Sequence, residues 1–204
     1  MKIFGIGMNY LQHTEELDGR AYRPEEPVIF LKADSALVKN GKPFFIPDWA
    51  GRVDYEAELV VRVCRLGKGI PVRFAHRYYD AVTVGIDFTA RDMQQKARSE
   101  GMPWTICKGF DGSAVIGDWK EEIVRSKEDV SFHLDINGKT VQQGYAEDML
   151  FSIDEIISYL SRFFTLKTGD LIFTGTPVGV GPVKIGDHLE GYLADERVLD
   201  FYCR

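Results

Sequence analysis

The sequence predicts an α+β fold in which strands dominate. Three observations carry this: β-branched and aromatic runs recur between turn residues, only three helices are credible, and no repeat or Pro/Gly/Ser linker divides the 204 residues. Strands are expected at 28–32, 56–63, 81–88, 130–136, 170–174 and 197–202. Asn137-Gly138 follows the alternating Ser131-Phe132-His133-Leu134-Asp135-Ile136 and predicts a two-residue hairpin turn into Thr140-Val141.

The strongest helix spans 153–164. Ser152 and Glu155 form a capping box, Phe151 and Ile156 are placed to staple its start, and Ile153, Ile156, Ile157, Leu160 and Phe164 share one apolar face. A second, over 90–100 and closed by Gly101, begins just after Asp87, so its first turn is expected to face whatever Asp87 serves. A third, over 10–18, has Asn9 as cap and Gly19 as stop; its nine residues suit a segment that substrate orders.

Composition narrows the partners. With 45% hydrophobic and 27% charged residues the chain is expected to form a single domain, 1–204, with one sizeable core. A net charge of -6 argues against nucleic acid and against an anionic membrane surface, and favours a small molecule. Cys64, Cys107 and Cys203 have no metal-like spacing and suggest no disulfide framework. The apolar opening is broken by Asn9 and no later stretch suits a bilayer, so a cytoplasmic location is expected.

The most informative segment is Asp54-Tyr55-Glu56-Ala57-Glu58-Leu59-Val60-Val61. On an extended strand Glu56 and Glu58 share a face, roughly 7 Å apart, where they repel. Glu is also a poor strand former. A hard cation would account for both, with Asp87 completing an all-oxygen triad. A solvated strand face gives the same pattern. His13 and Glu16 sit three apart on the short helix, as a base and its orienting carboxylate would, although a surface helix would look alike and Glu15 is an equal partner. Lys108, among apolar and small residues, is either a snorkelling surface residue or a cation beside the carboxylates. The glycine-rich stretch from Thr174 to Pro182 lacks the signature of a phosphate loop and reads as a turn, in which the Thr176 hydroxyl and nearby N–H groups could receive a substrate carboxylate. His76, His133 and His188 have no ligand spacing.

Taken in order, these segments resemble the fumarylacetoacetate hydrolase family, and especially its small acylpyruvase and oxaloacetate decarboxylase members. The resemblance runs from Gly7-Met8-Asn9-Tyr10 with His13 and Glu16, through Phe30-Leu31-Lys32, the Asp54 to Leu59 segment, Asp87-Phe88-Thr89-Ala90-Arg91-Asp92 and Pro103-Trp104-Thr105, to Phe173-Thr174-Gly175-Thr176-Pro177-Val178-Gly179-Val180-Gly181. It implies a mixed β-sandwich roll, usually a homodimer, with a mobile lid within residues 1–20. It implies Mg2+ or Mn2+ held by Glu56, Glu58 and Asp87, a His13–Glu16 dyad that activates water or a proton, a substrate lined by Arg91, Gln94 and Lys108, and Thr176 at its acid end. The implied activity is carbon–carbon cleavage of a small 2-oxo acid, by 3-acylpyruvate hydrolysis or oxaloacetate decarboxylation, through a metal-stabilised pyruvate enolate. Isomerisation of a 2-oxo or 2-hydroxy-diene dicarboxylic acid and non-catalytic metal and small-acid binding are the alternatives. Two positions depart from the family pattern: Met8 stands where many relatives carry Arg, and Ala33 where many carry Pro.

Overall fold

The computed structural model describes residues 1–19, 22–121 and 130–204. Its largest sheet runs, in spatial order, β2 (Val28–Lys32), β1 (Ile3–Gly7), β11 (Leu171–Phe173), β5 (Ala57–Val63), β6 (Tyr79–Asp87), β8 (Ala114–Ile116) and β3 (Leu37–Val38). A four-stranded sheet of β10 (Lys139–Tyr145), β9 (Ser131–Ile136), β13 (His188–Leu193) and β14 (Glu196–Tyr202) packs against β5 and β6. Short strands β12 (Gly181–Pro182), β4 (Val53–Tyr55) and β7 (Thr89–Ala90) form a third sheet. The helices are α1 (Leu11–Asp18), α2 (Val72–Ala75), α3 (Arg91–Glu100), α4 (Thr105–Gly109) and α5 (Ile153–Phe163). This is the predominantly β, α+β architecture expected. Among the described residues no helix is long and apolar enough to cross a membrane.

β5 lies in the middle of the largest sheet, and its alternation divides two cores. Ala57, Leu59, Val61 and Val63 join the large cluster under α5 and the four-stranded sheet, whereas Val60 joins Ile3, Ala36, Ala114, Ile116, Leu171 and Phe173 on the opposite face. Glu58 shares the face of Val60, so both sides of this strand are buried and neither glutamate is solvated.

α5 forms as its sequence requires. The Ser152 hydroxyl accepts from the Glu155 N–H, while the Glu155 carboxylate accepts from the Ser152 N–H at 2.8 Å. Ile156, Ile157 and Leu160 are wholly buried, each worth about 1.5–3 kcal/mol relative to exposure. Gly19 and Gly101 end α1 and α3 in the left-handed conformation.

Several elements differ from expectation. β1 and β13 were absent from the predicted strands. β1 is diluted by two glycines and forms because β11 and β2 bond to it on either side; β13 carries the alternation of buried Leu189, Gly191 and Leu193 that marks a half-buried strand. Pro182, read as part of a turn, pairs with Asp54. Asn9 does not cap α1, because its side chain is taken by other segments. Its Nδ2 donates to Thr174 O at 2.8 Å and Phe151 O at 3.1 Å, and its Oδ1 accepts from the Phe151 N–H at 2.8 Å.

Candidate active site

The register of β5 against β6 brings the three predicted carboxylates together. Glu58 lies opposite Gly85 and Ala57 opposite Ile86, while the chain breaks from strand geometry at Glu56, whose carbonyl accepts from the Asp87 N–H at 2.8 Å. Glu56, Glu58 and Asp87 are all buried, and one oxygen of each lies within 4.8 Å of the others.

Three cations converge on this cluster. Lys108, on α4, is buried, and its Nζ donates to Glu56 Oε2, Asp87 Oδ2 and Thr89 Oγ1, each at 2.7 Å. That settles its two readings in favour of the cation beside the carboxylates. Arg91, in the first turn of α3, donates Nη2 to Glu56 Oε1 at 2.6 Å, Nε to Asp54 Oδ2 at 2.8 Å and Nη1 to Gln94 Oε1 at 2.5 Å. Its donors therefore orient Glu56 and Gln94.

The third cation, Lys32 at the end of β2, was not singled out by sequence reasoning. Its ammonium lies 2.6 Å from Asp87 Oδ1, in ion-pair range though not aligned for a hydrogen bond, and it donates to Ser113 O at 3.0 Å, Ser113 Oγ at 3.1 Å and the Lys108 carbonyl. Its alternation with Phe30 along β2 was the available signal, but only the packing of α4 over that strand buries it.

Electrostatics differ sharply among the carboxylates. Burial alone would raise the Glu56 carboxyl, but Lys108 and Arg91 outweigh it and hold the pKa well below the usual range. Burial lowers the Lys108 ammonium, yet Asp87 and Glu56 raise it further, so it stays charged. For Lys32 burial wins and its pKa falls, despite Asp87. Glu58 is the exception among the three acids. Burial pushes its pKa well up and repulsion from Asp87 and Glu56 adds to that, while its described hydrogen bond comes from a neutral donor, the Gly175 N–H at 2.7 Å. A buried carboxyl facing two others and driven toward its protonated form is what a hard cation relieves, and the donor set is all oxygen. The residues present fit a divalent metal.

His13 faces this cluster from α1, with Glu16 beside it on the same helix. His13 is buried, its Nδ1 lies 3.2 Å from Glu16 Oε2, and the Gly179 N–H donates to Glu16 Oε1 at 3.1 Å, so Glu16 and not Glu15 is the partner. Burial would raise the Glu16 pKa, but the bonds from His13 and Gly179 lower it, which keeps it an acceptor. Thr176 is buried; its hydroxyl donates to the Ala57 carbonyl at 2.8 Å and accepts from Gln142 Nε2 at 2.9 Å. Gln142, also missed from sequence, accepts the Ala57 N–H at 2.8 Å and so ties β5 to the Thr176 loop from a bulge in β10. The bulge turns this polar side chain inward, and no local pattern announces it.

His13, Glu56, Glu58, Asp87, Arg91, Gln94, Lys108 and Thr176 line one cavity, so the structure brings eight of the nine predicted site residues onto its walls, with Glu16 behind His13. Ile6, Gly7, Met8, Phe30 and Trp104 make its apolar side, and the exposed Arg98 also lines it. The enclosed space is about 30 Å³, room for about two waters.

Known proteins resemble this chain in sequence and in fold. The sequence model for the fumarylacetoacetate (FAA) hydrolase C-terminal family matches residues 2–199. An oxaloacetate tautomerase of Escherichia coli is 36% identical over 204 residues, covering 97% of this chain and 92% of its own. A mitochondrial oxaloacetate tautomerase of Mus musculus is 38% identical over 186 residues, covering 91% and 83%. Among solved structures, fumarylpyruvate hydrolase from Pseudomonas aeruginosa in complex with Mn2+ and pyruvate superposes with a TM-score of 0.92 at 33% identity, covering all of this chain and 89% of its own.

Proposed function

The chain belongs to the fumarylacetoacetate hydrolase family, and from that premise we propose that it is a divalent-metal enzyme acting on a small 2-oxo acid through its enolate, with cleavage of the bond beyond C3 as the principal reaction. The observation that carries this reading is the His13–Glu16 pair set over three buried carboxylates. Glu56, Glu58 and Asp87 would hold Mg2+ or Mn2+, which when bound supplies Lewis acidity toward the substrate carboxylate and 2-oxo oxygen. The solved relative with Mn2+ and pyruvate supports that choice of ion and of acid.

The chain's own residues then have distinct work. Glu16 engages His13 Nδ1, which leaves Nε2 as the ring nitrogen for proton transfer. For a 3-acylpyruvate, His13 takes a proton from water as that water attacks the distal carbonyl. The C3–C4 bond then breaks, its electron pair passes to the 2-oxo acid as an enolate, and protonation at C3 gives pyruvate plus a carboxylic acid. Lys108, fixed by three acceptors, places a positive charge beside the developing enolate without reorganisation. Arg91 and Gln94 hold the cluster's geometry, and Thr176 offers its hydroxyl at the acid end. α1 brings His13 onto this narrow cavity, so movement of α1 would widen access for such a substrate, which supports its role as a lid.

The second reading keeps the proton transfer and omits the water: keto–enol interconversion or decarboxylation of oxaloacetate, with His13 moving the proton at C3. The relatives named oxaloacetate tautomerase favour it. The test is pyruvate release from acetylpyruvate and oxaloacetate, with the oxaloacetate enol followed in parallel, in Mg2+ or Mn2+ and in chelator. Metal-dependent turnover lost in His13→Ala with metal affinity retained is the expected result. Turnover indifferent to chelator, or none from either acid, overturns the reading.

A further inference from the structure

The cavity is lined unevenly. One part of its lining is the buried carboxylates and their cations, arranged for a 2-oxo acid; the other is Met8, Phe30 and Trp104. The apolar wall is built by the backbone beneath it. A Cβ at Gly5 would collide with the Phe30 ring, so this glycine of β1 seats that ring, whose centroid lies 6.0 Å from that of Trp104. Phe30 also abuts the charged part directly, with Lys108 Nζ 5.0 Å from its ring centroid.

Met8 completes the wall under constraint. Its φ of 57° is in the left-handed region, which a Met side chain seldom adopts. The following residue holds it there: Asn9 is buried, all of its side-chain bonds go to Thr174 and Phe151, and its carbonyl accepts from the Leu150 N–H at 2.8 Å. Met8 lies on the cavity lining. The buried cations of the cavity are engaged, Lys108 and Arg91 with Glu56, Asp87 and Asp54, and the exposed Arg98 also lines it. A carboxylate pressed against the Met8 side chain and the Phe30 ring would lose water without gaining a donor from either, and the indole N–H of Trp104 is the one side-chain donor among the three.

We propose that Met8, Phe30 and Trp104 form an apolar subsite for the far end of the substrate, so that this chain selects 3-acylpyruvates with an uncharged acyl group over 2-oxo acids carrying a second carboxylate. The inference rests on the proposed orientation, with the 2-oxo acid end at the carboxylate cluster.

The experiment compares kcat/KM for acetylpyruvate and its straight-chain homologues with kcat/KM for fumarylpyruvate and oxaloacetate, in the parent, Met8→Leu and Met8→Arg, all with Mg2+. The parent should prefer the uncharged series, gaining about fourfold per added methylene over the first one or two. Met8→Leu should keep that order, and Met8→Arg should lower the uncharged series at least tenfold relative to fumarylpyruvate. A parent that prefers fumarylpyruvate or oxaloacetate overturns the inference and transfers the far end to Arg98. So does an unchanged ratio in Met8→Arg. A parent that turns over none of these acids defeats the functional reading itself, a result distinct from active turnover with the wrong preference.

Discussion

The backbone N–H of Gly175 donates to Glu58 Oε2 at 2.7 Å, joining the loop after β11 to a carboxylate 117 residues earlier in the chain. Gly175 has a φ of 103°, and a Cβ there would lie 2.7 Å from the Asn9 Cβ and 3.1 Å from the Ile6 carbonyl. Gly175→Ala should therefore cost about 1–3 kcal/mol, or roughly 2–4 °C of Tm per kcal/mol for a chain of this size. It should also weaken binding of Mg2+, because the strained loop displaces the N–H from which Glu58 accepts. Thermal melts with and without Mg2+ check both; a variant with parental Tm would show that the loop tolerates the side chain.

Glu58→Gln should stabilise the metal-free protein and abolish its stabilisation by Mg2+. The folded-state pKa of Glu58 is raised by burial and by Asp87 and Glu56, so the folded protein holds this proton more tightly than the unfolded chain. Stability is then greatest below the unfolded value, about 4.3, and is lost as pH rises toward the folded one. In chelator, the advantage of Glu58→Gln should widen with rising pH over that window, then level off. Titration of Mg2+ into the parent above pH 4.3 should release protons, read as a dependence of calorimetric heat on buffer ionisation enthalpy.

Removing Lys108 should be costly for stability as well as activity. Glu56 Oε2, Asp87 Oδ2 and Thr89 Oγ1 all accept from its ammonium inside the protein. Lys108→Met leaves two buried carboxylates short of a partner, a loss of about 3–5 kcal/mol. Urea denaturation should register it, and Mg2+ should recover part of the loss by supplying positive charge. Equal stability of parent and variant in chelator would mean that the ammonium is not paired as described.

At the start of α5, Ser152→Ala should cost about 1 kcal/mol by removing the helix cap. Bonds from the Ser152 hydroxyl and N–H lower the Glu155 pKa, so its contribution is present above the unfolded value and is lost as pH falls through the folded one. The variant should accordingly show a smaller loss of stability between about pH 5 and pH 3 than the parent does. Melts across that range decide it.

Features closed within a few residues were legible without coordinates. Ser152 and Glu155 bond three positions apart, and Asn137 and Gly138 take φ values of 53° and 76°, the pair of positive angles a tight hairpin needs. Gly19 and Gly101 stop their helices for the same local reason. The carboxylates were legible differently, because two glutamates on one strand face oppose both strand propensity and mutual repulsion. Asn9 shows where local reading fails: its position suits a helix cap, but Thr174 and Phe151 offer its amide better-matched partners from distant segments.

By itself the sequence determined the strand-rich class, the cap of α5, the glycine stops of α1 and α3, the tight turn and the three acids with His13 that could form one centre. Tertiary structure alone decided which side chains are buried and which charges meet. Lys108 reaches Glu56 across 52 positions, and Lys32 reaches the Lys108 carbonyl across 76. Both lysines would be ordinary surface residues if β5 were an edge strand or if α4 packed elsewhere. The physical reason is range: a cap or turn is satisfied by backbone groups a few residues away, whereas burying a charge becomes tolerable only when distant segments bring its partner.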